Sequence, residues 1–148
     1  VSKERSVGAR AIWNMETLHE VFLARTDPAS IGLSALGARL RPTPPDDKAG
    51  LYIRIGAGGT SVVAPVAPGV VQAVPVQMWS SLAAGKPVEV DLRPCTIALD
   101  GERTVILSPG QSAQVVLSDK GPPVVSVEAA LREASLAGVF TNGTGSET

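Results

Sequence analysis

Cysteine is almost missing from this chain: Cys95 stands alone among 148 residues, so no intrachain disulfide can form. That scarcity favours a reducing compartment, and a cytoplasmic location is the expectation. Cys95 lies in an apolar run, where a small buried hydrophobe is a better reading than a nucleophile or ligand. Histidine is equally scarce. His19 has no second histidine with which to build a metal site, so a solvated or capping role is expected and no metal is assigned. Aromatic residues make up only 3% of the chain, which leaves Val, Leu, Ile and Ala to fill the core. The net charge of −1 includes no basic stripe, and nucleic acid is therefore not an expected partner. Pro and Gly break the apolar runs well short of the ~18 residues that a membrane helix needs. The opening "VSKERSVGAR" is polar and no apolar h-region follows, so neither a signal peptide nor a membrane partner is expected.

What remains is a chain with 44% hydrophobic and 18% charged residues, the balance of one globular domain. Residues 1–14 read as a solvated lead-in, 15–140 as the domain, and 141–148 as a flexible polar tail. "AIWNMETLHEVFLA" fits either a helical face or a strand, and Asp27-Pro28 ends it. "SIGLSALGARL" alternates well enough for a strand, and "RPTPPDDKAG" reads as an exposed turn. From Leu51 the pattern is β throughout. "LYIRI" alternates cleanly up to Gly56, where "GAGG" reads as a flexible loop. In the following β-branched run, Pro65, Pro68 and Pro75 mark edges, bulges or strand ends, because proline cannot donate to a ladder. "SSLAAG" reads as one helical turn. "PVEVDL", "CTIAL", "RTVIL" and "SAQVVLS" then follow at the short spacing of a sandwich or barrel. Asp100-Gly101 joins two of these as a two-residue hairpin, and Pro109-Gly110 suits the centre of a type II turn. "SVEAALREASLAGVF" has helical spacing, with Ser126 as its N-cap and Gly138 as its stop.

No complete catalytic set emerges. "GAGG" invites a phosphate-cradle reading, yet it lacks the rest of either Gly-rich phosphate motif, and a plain hairpin end explains it as well. A carboxylate at Asp100 can bond nearby backbone N–H groups, so a turn role is sufficient for it. Glu102 and Arg103 flank that turn and are placed to pair across a surface.

Taken in order, "GLYIRIGAGG", "VVAPVAPGVV", "AAGKPVEV" and "IALDGERTVILSPGQSAQVVLS" resemble the C-terminal domain of ATP-NAD kinase-like proteins, nearest the acetoin-catabolism X branch. The resemblance covers roughly residues 18 to 140. It implies a mainly β fold, a β-sandwich with a short C-terminal helix, that helps to bind NAD or NADP and to assemble a homo-oligomer. It also implies a partner, an N-terminal α/β domain carrying the Gly-Gly-Asp-Gly-Thr motif, through which alone ATP and Mg would enter. That motif is absent from these 148 residues, so the chain by itself is not expected to transfer phosphate. "LHE" stands where the kinases have Leu-Asn-Glu. Glu20 thus matches a dinucleotide-contacting glutamate, and His19 replaces the asparagine. Gly58 and Gly59 of "GAGGTS" stand near the place of a longer binding segment, and Asp100 near the cofactor region. These five residues form the implied cofactor-binding set. An assembly or interaction domain that has lost the nucleotide site is the rival reading, favoured by the short glycine segment and the substituted asparagine.

Overall fold

The computed structural model describes residues 15–44, 47–100, 103–121 and 125–141. The lead-in, most of the tail, and Gly101 and Glu102 of the hairpin fall outside them. The fold is mainly β, with open antiparallel sheets in a sandwich-like arrangement. Strand β1 (Glu20–Leu23) pairs with β2 (Gly50–Ala67), which pairs with β3 (Val70–Leu82). Two small sheets accompany them: β4 (Pro87–Glu89) with β7 (Gln114–Val116), and β5 (Cys95–Leu99) with β6 (Arg103–Leu107). Helix α1 (Leu33–Leu40) lies against β2 and β1, and α2 (Val127–Leu136) comes last.

Alternation along β1 and β2 gives the first sheet two different faces. Val21, Leu51, Ile53 and Ile55 turn one way and join Leu36 of α1 in the first core cluster. Glu20, Phe22, Tyr52 and Arg54 occupy the intervening positions, and Phe22 stacks on Tyr52 with ring centroids 5.0 Å apart. On that side lies a second cluster of Val90, Cys95, Ile97 and Leu107, against which Phe22 also packs.

The segment "SIGLSALGARL" is a helix from Leu33, not a strand. Leu33, Leu36 and Leu40 recur at three and four residues, and burying that stripe on β2 outweighs the weak alternation. Gly37 is a requirement of this packing, since a Cβ there would meet the Leu23 side chain at 2.5 Å and Thr26 at 2.7 Å. "GAGG" is neither a hairpin end nor a loop between strands. It is a bulge inside β2, because Ile55 and Thr60 both register on Val76 and leave residues 56–59 extra. "SSLAAG" is the end of β3 and a turn closed by Lys86 N–H donating to the Ala83 carbonyl at 3.2 Å, not a helical turn. "RPTPPDDKAG" is less exposed than expected: Arg41 is half-buried and pairs with Asp47 at 2.5 Å.

Pro68 and Gly69 make the tight connection between β2 and β3, with Gly69 at φ 72°. Pro65 sits where β2 has no strand on its far side, and its carbonyl accepts from Gly32 N–H at 2.8 Å. The Asp100 hairpin exists, but Leu99 registers on Arg103, leaving three residues in the loop instead of two. Arg103 reaches Asp100 at 3.8 Å across this exposed turn. The Ser108–Gln111 turn closes with Gly110 at φ 87°, and Ser126 caps α2 by accepting from Ala129 N–H.

Candidate functional site

Two cavities open beside β1, and they share one wall residue. The larger, of about 780 Å³, runs between β1, the start of α1, the end of β2, residues 97–99 of β5 and Asp100 just beyond it. Its lining is mostly apolar, with Leu18, Phe22, Leu33, Val66 and Leu99 among the walls and Glu20 and Asp100 as the carboxylates. The smaller, of about 230 Å³, is polar and lined by His19, Glu20, Arg54, Gln77, Asp91 and their neighbours. The larger volume falls in the range of small-molecule sites, with few polar groups among apolar ones.

Glu20 stands where the two meet. Its side chain is 2% exposed, and both carboxylate oxygens are engaged. Tyr52 donates its hydroxyl to Oε1 at 2.7 Å, and the backbone amides of Asp91 and Leu92 donate to Oε2 at 3.1 and 3.3 Å. Arg54 donates from Nε to the Tyr52 hydroxyl at 3.3 Å and forms an ion pair with Asp91. A buried carboxylate stays tolerable only with such donors around it. Burial pushes the Tyr52 hydroxyl above its ordinary pKa of 10.0, and its hydrogen bond to Glu20 adds to that shift.

The implied site residues divide between the cavities. His19, half-buried, and Glu20 line the polar one; Glu20 and Asp100 line the apolar one. Gly58 and Gly59 line neither, but the bulge packs on β3 beside the polar cavity. A Cβ on Gly59 would lie 2.1 Å from the Val76 carbonyl oxygen and 2.6 Å from that of Gln77, so only glycine fits. Gly58, at φ 97°, has open space around it. Cys95 is buried in the second cluster, and burial raises its thiol pKa, which keeps it protonated and poorly nucleophilic. Among the described residues, no group of three or more His, Cys, Asp or Glu could hold a metal. No helix among them is long and apolar enough to cross a membrane.

Sequence reasoning missed Tyr52, Arg54, Gln77 and Asp91. The signal for the first two was in "LYIRI": its second and fourth residues must share the face opposite the Leu-Ile-Ile stripe, and that is the Glu20 face.

The family model of the acetoin catabolism protein X C-terminal domain matches residues 1–120. The chain belongs to that family. Acetoin catabolism protein X of Cupriavidus necator is 37% identical to it over 137 residues, 90% of this chain. The chain spans 38% of that relative's length. No solved structure matches it. Both cavities of this domain lie within the matched residues, and α2 lies beyond them.

Proposed function

We propose that this domain forms one wall of a site for NAD or NADP, and that phosphate chemistry with ATP and Mg belongs to an N-terminal α/β domain. The observation that carries the reading is the pair of cavities meeting at Glu20. A dinucleotide combines flat rings with hydroxyl-rich ribose. The apolar cleft suits a ring, and the acceptors and donors of the polar cavity suit hydroxyls. His19, Glu20 and Asp100 then face ligand, while Gly58 and Gly59 flank it. With no phosphate-handling motif of its own, the chain supplies binding and not transfer.

Calorimetric titration with NAD and with NADP tests this, on the chain alone and together with the N-terminal domain assigned to it. Saturable heat in either setting is expected, reduced about tenfold in affinity by Ala98→Phe, which fills the cleft from β5. Absence of heat with both cofactors in both settings would sink the reading.

A second role, self-association, is supported by the exposed apolar face of the β2–β3 arm. Val63 and Val71 project from one face of it, 61% and 68% exposed. Apolar groups gathered on one face suit an interface between copies. Sedimentation should then show a dimer or larger assembly that Val71→Asp shifts toward monomer. A monomer at every concentration would refute this role.

A further inference from the structure

Glu20 is the only charged side chain buried among the described residues, and its hydrogen bonds tie together parts of the chain 71 and 72 residues apart. We propose that Glu20 is a positioning residue, whose carboxylate holds the backbone at Asp91 and Leu92 and thereby sets the β5 wall of the large cleft. The geometry is direct. Glu20 and Tyr52 sit on paired strands of the first sheet, anchored by the first core. From that fixed base, Oε2 accepts two successive amides of the segment leading to β5. Only Arg93 and Pro94 separate Leu92 from Cys95, the first residue of β5. Residues 97–99 of that strand, with Asp100 after it, then form the cleft's second wall. The Arg54–Asp91 ion pair closes the loop, because Arg54 also donates to the Tyr52 hydroxyl. Without the carboxylate, the two amides lose this acceptor.

This role extends the dinucleotide reading but does not need it. Wall-holding requires acceptors, whereas contact with ligand through charge requires a carboxylate. Glu20→Gln separates the two. Its amide oxygen can accept from Asp91 and Leu92, and its nitrogen can donate to the Tyr52 hydroxyl.

Amide hydrogen exchange on the wild type, Glu20→Gln and Glu20→Ala is the test. In Glu20→Ala, exchange at Asp91, Leu92 and the β5–β6 pairs is expected to rise about tenfold or more, while β2–β3 stays protected. Glu20→Gln should return these amides to within about threefold of the wild type. Unchanged exchange at Asp91 and Leu92 in Glu20→Ala would overturn the proposal. Should Glu20→Ala lose β2–β3 protection as well, the wild type decides, since both amides are expected to exchange about tenfold or more slowly than in the unfolded chain while bonded to Oε2. Exchange of Asp91 and Leu92 at the unfolded-chain rate in the native wild type would end the role. Where NAD or NADP gives heat, Gln should retain binding that Ala loses; equal loss in both would show direct contact instead. Where neither gives heat, the dinucleotide reading fails by itself and the exchange result still decides this one.

Discussion

At Tyr52 a hydroxyl donates to a carboxylate that water barely reaches, and this makes the residue a reporter of its own burial. Its folded pKa lies above the ordinary 10.0, so the fold favours the neutral phenol. The sign follows from linkage: this contribution to stability is complete below about pH 10 and is lost as pH rises through the raised folded value. Tyr52 is the chain's only tyrosine, so phenolate absorbance in the near ultraviolet reads it alone. Alkaline titration should give a midpoint above 10 in the native protein and near 10 in denaturant. A native midpoint at or below 10 would contradict the buried hydrogen bond. Gly59 makes a second residue-scale case. Its missing Cβ leaves room for the Val76 carbonyl, and Gly59→Ala should cost about 1–3 kcal/mol through backbone displacement. Urea denaturation measures this, with Gly58→Ala as the contrast. Gly58, unlike Gly59, has a positive φ but no close neighbour, so its cost should stay near about 1 kcal/mol.

Among the elements, α1 and α2 are opposites. Leu36 of α1 is 0% exposed at the centre of the first core. Leu36→Ala should destabilise the domain by about 2–5 kcal/mol, the transfer loss plus the cavity left between helix and sheet. An equilibrium unfolding curve checks it. Helix α2 has no buried residue despite an apolar stripe through Val127 and Leu131. Its interior contributes cap and backbone bonds only to itself, so ending the chain at Lys120 should leave the melting temperature within about 2 °C of the full chain. A larger fall would mean that α2 is packed in solution. Both helices carry similar amphipathic patterns, and the pattern alone reads the second correctly and the first as a strand. The difference is length: an eight-residue segment with Gly inside it carries little helical signal until β2 offers a surface to cover.

For the molecule as a whole, the sandwich-like fold places a layer on each face of the first sheet. Helix α1 and the first core cover one face, and the β5–β6 hairpin and second core cover the other. The two clusters meet through Phe22 and the Glu20 network, not through a continuous apolar interior. The small second cluster should therefore respond to its own mutations first. Val90→Ala is expected to speed exchange in β5–β6 more than in β2–β3, as hydrogen exchange would show. The proposed site lies at this junction. Both cavities, with His19, Glu20 and Asp100 of the implied set, lie where the layers join, while Gly58 and Gly59 line neither.

Legible in the sequence alone were the β character after Leu51, a strand end at Pro68, the turn at Pro109-Gly110, the Ser126 cap and the acetoin catabolism protein X branch of the resemblance. These depend on neighbours in the chain: strand alternation, a positive φ that glycine tolerates, an N-cap oxygen within reach of the third amide on. Glu20 was legible as a residue of interest through its place in "LHE", but its partners were not. Long-range packing settles that Asp91 and Leu92 meet it, that "GAGG" bulges within one long strand, and that Leu33–Leu40 of "SIGLSALGARL" form a helix. Each of these is settled by a contact between distant segments: amides 71 and 72 residues away, a β3 carbonyl against Gly59, and a β2 surface beneath Leu36. Local preference is worth tenths of a kcal/mol per residue, whereas burying one leucine is worth about 1.5–3 kcal/mol, so the distant contact prevails wherever the two conflict.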